Sequence, residues 1–310
     1  MDRLKGIIPP MVTPLTASRA LDKVGVRNMV KHLVAGGVDG VFLLGTTGEG
    51  PHLPYGLRAE LVRLTCAEVK RACGGRGGAI PVLVGITETN LDAALTFAKH
   101  CKSFGASAVV AAPPYYFKLT QSECVAWYRT LADGSPLPVV VYDMPAHTDT
   151  IVAPDTLAKI VAHKNVIALK DSSANIALFN KFRATLMDTE NFSLFMGPDE
   201  AMGEAVMMGA QGGVCTGANL WPKTFKKMYE AAVVGDVAEV RRLQQITTTS
   251  SYLLYGLGDG QIGFLKGVKA ALAEMGLIQN VLAAPFAPFK GAELKPVRAA
   301  LSKLRKMGAE

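Results

Sequence analysis

The residue pattern predicts an α/β protein, a (β/α)8 TIM barrel with a C-terminal helical extension. Three observations carry this expectation. Short apolar segments alternate eight times with helix-patterned segments over roughly 220 residues, the order of a parallel β/α architecture. Several of these segments, Val41-Phe42-Leu43-Leu44 and Val139-Val140-Val141 among them, are continuously apolar, as strands buried on both faces are. The first strand also lacks the G-x-G-x-x-G turn that an open doubly wound sheet would place after it.

Taken in order, Ile7 to Val12 opens the chain as a short strand crowded by Pro9 and Pro10. A helix is expected from Val24 to Ala35, stopped by Gly36-Gly37. Val41 to Leu44 is the second strand and opens into Gly45-Thr46-Thr47-Gly48-Glu49-Gly50. A long helical pattern from Tyr55 to Arg71 ends in the turn Gly74-Gly75-Arg76-Gly77-Gly78. Pro81 to Gly85 reads as strand three and Asn90 to Phe104 as its helix. Ala108 to Ala111 is strand four, running into Pro113-Pro114-Tyr115-Tyr116. A helix near Ser122 to Leu131 precedes strand five, Pro138 to Tyr142, and one from Pro154 to Val161 precedes strand six, Val166 to Leu169. Ala177 to Leu186 is the next helix and Phe192 to Met196 strand seven. A short helix from Glu200 to Met208 then separates it from strand eight, Gly212 to Thr216. From Lys223 the pattern is helical only, with breaks near Gly235, Gly256 to Gly260 and Gly276 to Pro288. Residues 1–222 are therefore assigned to the barrel and 223–310 to helices packed beside it, where fold analogy has them help cover its mouth.

Composition narrows the function classes. With 310 residues, 49% hydrophobic and 19% charged, the chain has the make-up of a compact globular protein rather than a disordered one. No apolar run approaches the roughly 18 residues of a membrane span. The first residues lead straight into a strand, so no secretory signal and a cytoplasmic location are expected. Cys66, Cys73, Cys101, Cys124 and Cys215 are an odd, widely spaced set that reads as reduced thiols in or near the core. The five histidines form no metal-ligand spacing, and no metal is expected. The net charge of +7 is spread along the chain. Its densest cluster, Lys295, Arg298, Lys303, Arg305 and Lys306, lies opposite Leu294, Val297, Leu301 and Leu304 on one amphipathic helix, so solvated surface is a better reading than nucleic-acid binding.

In a (β/α)8 barrel the chemistry sits at the C-terminal ends of the strands. Those ends supply Thr46, Thr47 and Glu49, Tyr115 and Tyr116, Tyr142, Asp143 and His147, Lys170, Gly197 and Thr216. The key stretch is Val166-Ile167-Ala168-Leu169-Lys170-Asp171-Ser172-Ser173, a buried strand that ends on a lysine. A lysine there can simply run its stem along apolar surface and leave its ammonium wet. Placed with a phenol and a hydroxyl around one mouth, it can instead serve as an amine that attacks a ketone, because desolvation disfavours the ammonium form. The resulting iminium acts as electron sink, and a tyrosine polarised by a hydroxyl can move protons beside it. The glycine-flanked Gly45-Thr46-Thr47-Gly48 turn can aim backbone N–H groups at a carboxylate.

Gly45-Thr46-Thr47-Gly48-Glu49-Gly50, Pro114-Tyr115-Tyr116, Tyr142-Asp143-Met144-Pro145 and Leu169-Lys170-Asp171-Ser172 resemble the successive signatures of the dihydrodipicolinate synthase/N-acetylneuraminate lyase family. The resemblance covers essentially the whole chain, from Gly6-Ile7-Ile8-Pro9-Pro10-Met11-Val12-Thr13-Pro14 onward. It implies Schiff-base chemistry on pyruvate or a related 2-oxo acid, with no cofactor beyond the covalent imine, and a homo-oligomer built as a dimer of tight dimers. It implies Lys170 as the Schiff-base lysine, Tyr142 as the proton-relaying phenol and Thr46 as the bridging hydroxyl. Thr47 matches the residue that holds the 2-oxo acid carboxylate. Tyr116 matches the tyrosine that in the synthases crosses the tight-dimer interface, and Gly197 and Val214 match backbone positions lining the pocket.

The departures bear on the second substrate. In the synthases the Tyr-Asn-x-Pro segment continues with a small residue, an arginine that engages the aldehyde's carboxylate, and a threonine. Here it is Tyr142-Asp143-Met144-Pro145-Ala146-His147-Thr148. Histidine is mostly neutral at pH 7 and cannot form a bidentate guanidinium–carboxylate pair. His147 can hydrogen-bond a hydroxyl of a sugar-acid substrate or stand idle in its loop, and Asp143 puts an acceptor in the place of an asparagine. The expectation is a lyase or aldolase joining pyruvate to, or releasing it with, a sugar-derived aldehyde. A dehydratase of 2-oxo-3-deoxy sugar acids is the alternative through the same imine, and the lysine-pathway synthase is disfavoured. From another class, a ligand-binding relative without turnover is the weakest candidate, because Lys170, Tyr142 and Thr46 are all present.

Overall fold

Each apolar run becomes a strand and each amphipathic run a helix in the computed structural model, which describes residues 3–74 and 79–310. The strands are β1 (Gly6–Ile7), β2 (Val41–Leu43), β3 (Val82–Gly85), β4 (Ala108–Ala111), β5 (Val139–Asp143), β6 (Val166–Asp171), β7 (Ser193–Met196) and β8 (Gly212–Gly213). The helices between them are α1 (Lys23–Ala35), α2 (Tyr55–Ala72), α3 (Leu91–Ser103), α4 (Gln121–Gly134), α5 (Pro145–Thr148), α6 (Pro154–Val161), α7 (Ile176–Thr185) and α8 (Met202–Met207). After β8 come α9 (Pro222–Val234), α10 (Val237–Tyr255), α11 (Gly263–Glu274) and α12 (Leu294–Lys306). Of the glycine-rich turn expected after α2, residues 75–78 lie outside the described part.

The sheet order is β1-β8-β7-β6-β5-β4-β3-β2, every neighbouring pair parallel. A parallel bridge between Pro10 and Phe42 closes it: Met11 N–H donates to Phe42 O at 2.8 Å, and Phe42 N–H to Pro9 O at 2.9 Å. The first strand was expected to reach Val12 but ladders only through Ile7. Pro9 and Pro10 have no N–H to give, so they contribute only as acceptors.

Residues of alternating parity along the strands form two cores. Inside the barrel lie Ile8, Phe42, Leu83, Val110, Val140, Tyr142, Ala168, Phe195 and Val214. Outside it, Val139, Val141 and Leu169 join the helices in a second cluster. Register then decides the site, since Val140 pairs with Ala168 and Tyr142 with Lys170, which puts the phenol and the amine in one layer at the C-terminal end.

Past β8, α9 packs on β1 and α8, the place of an eighth outer helix. α10 lies against α8, α9 and the turn after β7, with the Trp221 indole N–H donating to Ser250 Oγ at 2.9 Å. The outer cluster runs unbroken from the barrel into Leu254, Leu265, Val268 and Leu304, across the expected 222/223 division. Among the described residues no helix is long and apolar enough to cross a membrane.

Candidate active site

Lys170 is 6% exposed and points into the barrel from the penultimate residue of β6. Its Nζ stands 4.3 Å from the centroid of the Tyr142 ring and 5.4 Å from that of Phe42. These two rings meet edge to face at 6.3 Å. No ion pair among the described residues involves Lys170, so aromatic faces, not a carboxylate, hold the amine. The Tyr142 hydroxyl lies 3.2 Å from Thr46 Oγ1. Amine, phenol and hydroxyl are thus brought together from β6, β5 and the turn after β2.

That turn is tightly folded. Leu44 and Glu49, at its two ends, have φ of 60° and 57°, a left-handed conformation that non-glycine residues adopt at a cost. A Cβ on Gly50 would fall 2.1 Å from Leu44 O, so the chain can double back only with glycine there. Thr47 Oγ1 sits 2.9 Å from Thr216 Oγ1, joining the turn to the segment after β8, and Thr13 Oγ1 donates to Gly48 O at 2.6 Å. Gly197 N–H donates to Asp171 O at 2.8 Å, and Val214, buried in the inner core, donates its N–H to Met196 O at 2.8 Å.

Phe42, Thr46 and Tyr142 border a cavity of about 680 Å³, and Lys170 is not on its wall but stands against the rings of Tyr142 and Phe42, which are. His52, His147, Phe264 and Phe286 line it together with them. Phe286 packs edge to face on His52 at 4.9 Å. Burial at the rim, with His52 nearby, holds the His147 imidazole below its ordinary pKa, although a hydrogen bond to the Ala146 backbone opposes this. The wall carries neither Arg nor Lys among the described residues, and its one charged side chain, Glu49, is engaged by Lys269. Tyr115 borders the cavity, but Tyr116 does not: it is 78% exposed and packs edge to face on Phe117 at 5.0 Å. Thr47, Gly197 and Val214 likewise lie off the cavity wall.

Asp143 needs a correction, because it is not a mouth residue. It follows Tyr142 on the strand and so faces away from the barrel interior, fully buried, with Oδ1 accepting from Val152 N–H at 3.0 Å and Oδ2 without a partner among the described residues. Burial raises its pKa to about 7, with the Asp171 carboxyl adding to the rise and the Val152 N–H opposing it. The cysteines are free, as expected, with Cys101, Cys124 and Cys215 buried. Burial pushes the Cys66 thiol up to about 11 and those of Cys101 and Cys124 to about 12, far from reactive thiolates.

Sequence reasoning missed Phe42 beneath the amine, His52, and the C-terminal contribution of Gln261, Ile262, Phe264 and Phe286 to the wall. Phe42 carries a signal in hindsight, since it has the inward parity of a β2 residue. The C-terminal residues carry none, being brought in by chain more than 200 residues beyond the catalytic turn.

Comparison with known proteins agrees with this geometry. The sequence profile of the Dihydrodipicolinate synthetase family matches residues 3–304. A dihydrodipicolinate synthase structure from Bacteroides thetaiotaomicron superimposes with a TM-score of 0.92 at 41% identity, covering 98% of this chain and 99% of that one. The structure of YagE, a prophage protein from E. coli K12, solved in complex with pyruvate, gives 0.90 at 26% identity, covering 97% and 99%. Among curated relatives, a 4-hydroxy-tetrahydrodipicolinate synthase of Methanospirillum hungatei is 32% identical over 77% of this chain and 80% of its own. An N-acetylneuraminate lyase of Rhizobium meliloti is 29% identical over 97% and 95%. The chain belongs to the dihydrodipicolinate synthetase family and is a class I pyruvate-dependent lyase.

Proposed function

We propose that this protein cleaves or forms a carbon–carbon bond between pyruvate and a neutral, sugar-acid-derived aldehyde through an imine on Lys170. The observation that carries the reading is the amine of Lys170 over the Tyr142 ring, with the phenol of that ring on Thr46. The free amine adds to C2 of the 2-oxo acid and the carbonyl oxygen leaves as water. Loss of a C3 proton turns the iminium into an enamine, whose C3 attacks the aldehyde carbon as the aldehyde oxygen takes up a proton; water then hydrolyses the product iminium and restores the Lys170 amine. Retro-aldol cleavage runs these steps backwards. Tyr142, with Thr46 as partner, moves the protons. Thr47, whose hydroxyl meets that of Thr216, takes the carboxylate together with the backbone at Gly197 and Val214, a role these residues draw from the family resemblance. Tyr116, exposed on its own chain, completes the relay in a second copy within a dimer of dimers.

The aldehyde is met by the cavity wall. A carboxylated aldehyde such as aspartate semialdehyde calls for a cationic fork, and this wall offers the imidazoles of His52 and His147 instead. These can exchange hydrogen bonds with hydroxyl groups, which supports a sugar-derived acceptor over that of the synthases to which the chain is similar. The same two imidazoles could assist loss of a hydroxyl from a 2-oxo-3-deoxy sugar acid, and dehydration is the second reading. The test is a panel run with pyruvate: sugar-derived aldehydes, aspartate semialdehyde and, alone, 2-oxo-3-deoxy sugar acids. Highest kcat/KM with the sugar-derived aldehydes is expected, and comparable turnover of aspartate semialdehyde would overturn the assignment of His147.

A further inference from the structure

Behind the catalytic turn lies a charged pair that the chemistry above does not use. Lys269, on α11, is fully buried, and its ammonium is ion-paired with Glu49, itself 2% exposed. Burial pulls the Lys269 pKa down, while the Glu49 carboxylate opposes the fall. A buried ion pair adds little to stability over a well-packed apolar pair, so its use is better sought in what it orients.

Both members of the pair hold more than each other. The second carboxylate oxygen of Glu49 accepts from Ala283 N–H at 2.7 Å, and Lys269 Nζ donates to Val281 O at 2.7 Å. The segment 281–283 is therefore gripped by one N–H and one carbonyl, which fixes its path toward Phe286 at the mouth, where that ring meets His52. In the other direction, Glu49 N–H donates to Thr46 O at 3.1 Å, and Thr46 Oγ1 is the partner of the Tyr142 hydroxyl. One continuous set of bonds thus runs from α11 through Glu49 to the proton relay, with a branch to the rim of the cavity. Glu49 is in the left-handed conformation noted above, which only strong anchoring holds in place.

We propose that Glu49 and Lys269 are positioning residues that set the Thr46 hydroxyl on Tyr142 and fix the C-terminal lip of the cavity. The inference rests on the imine reading of Lys170. It predicts that releasing the pair slows proton transfer at the pyruvate methyl while leaving capture of pyruvate by Lys170 intact.

The experiment compares the parent protein with the double variant Glu49→Gln/Lys269→Met. The glutamine keeps an acceptor for Ala283 N–H, while the two substitutions together remove both charges and the Lys269 donor to Val281 O. Two quantities are read on each protein: the borohydride-trapped pyruvate adduct on Lys170, and exchange of the pyruvate methyl hydrogens for deuterium, followed by NMR and divided by the adduct. Adduct yield close to the parent's with exchange per adduct down about 10- to 100-fold is expected, the scale of a catalytic group displaced by around an ångström. If the double variant folds poorly, Glu49→Asp, one methylene shorter and still charged, is expected to lose about tenfold by the same measure. A purely structural role would lower the folded fraction and leave exchange per adduct unchanged, and that result in either variant overturns the proposal. Absence of an adduct on Lys170 in the parent protein is a different failure, because it removes the imine reading itself.

Discussion

Replacing Tyr142 by phenylalanine separates the two jobs given to that residue. The ring over which Lys170 Nζ stands at 4.3 Å remains, so the surroundings of the amine are kept. What disappears is the hydroxyl 3.2 Å from Thr46 Oγ1. Losing one such hydrogen bond next to an open cavity costs about 1 kcal/mol of stability. In a chain of this size that is a fall in Tm of only about 2 °C. Removing a positioned general acid–base group costs far more in the chemistry, about 10²- to 10⁴-fold in rate. Tyr142→Phe is therefore expected to fold normally, to give a borohydride-trapped pyruvate adduct on Lys170, and to lose at least about 10²-fold in kcat with its best aldehyde. Steady-state kinetics together with intact-mass measurement of the trapped adduct give both numbers on one preparation. Turnover within a fewfold of the parent would refute a proton-relaying role for the phenol. Loss of adduct with turnover in proportion would assign Tyr142 to shaping the amine's pocket instead.

Two further outcomes follow from charges at and behind the mouth. Asp143 titrates near pH 7 in the folded chain because burial raises it, and near 4 when unfolded, so between these values the folded carboxyl keeps a proton that the unfolded chain has released. Stability must then fall as pH rises from about 4 to about 7, and Asp143→Asn should gain on the parent by up to about 4 kcal/mol over that whole window, about 3 kcal/mol of it between about pH 5 and pH 8, read from denaturant unfolding at those two values. A difference independent of pH would contradict the buried placement of this carboxyl. His147→Arg adds a guanidinium to a cavity wall that has none, and should raise kcat/KM for aspartate semialdehyde relative to a neutral aldehyde by about tenfold, with no relative gain if the carboxylate is met elsewhere.

The barrel and the strand-borne part of the site were legible because they depend on local pattern. Buried parallel strands write themselves as runs such as Val139-Val140-Val141, and the active end of each strand follows from its direction. Lys170 and Tyr142 were therefore readable as neighbours before register put them in one layer. Boundaries were less so: α8 begins as a 3-10 turn over Asp199–Ala201 rather than as a regular helix from Glu200, and β8 pairs only at Gly212–Gly213. The four-residue α5 that carries His147 has too little length for any periodicity to show. Asp143 was misassigned because a motif names a position but not a face, and its neighbour Tyr142 already takes the inward one. The C-terminal part of the cavity wall was unreadable for another reason. Lys269 and Phe286 reach the turn at Glu49 and the ring of His52 across more than 200 residues, and no spacing rule spans that gap.

The central claim is that Lys170 forms an imine with a 2-oxo acid. Incubation with pyruvate and borohydride, followed by digestion and peptide mass mapping, tests it directly. The account predicts the mass of a reduced pyruvate adduct on the peptide containing Lys170, and none at the corresponding peptide of Lys170→Ala. An unmodified Lys170 peptide, or an equal adduct on the alanine variant, would contradict it.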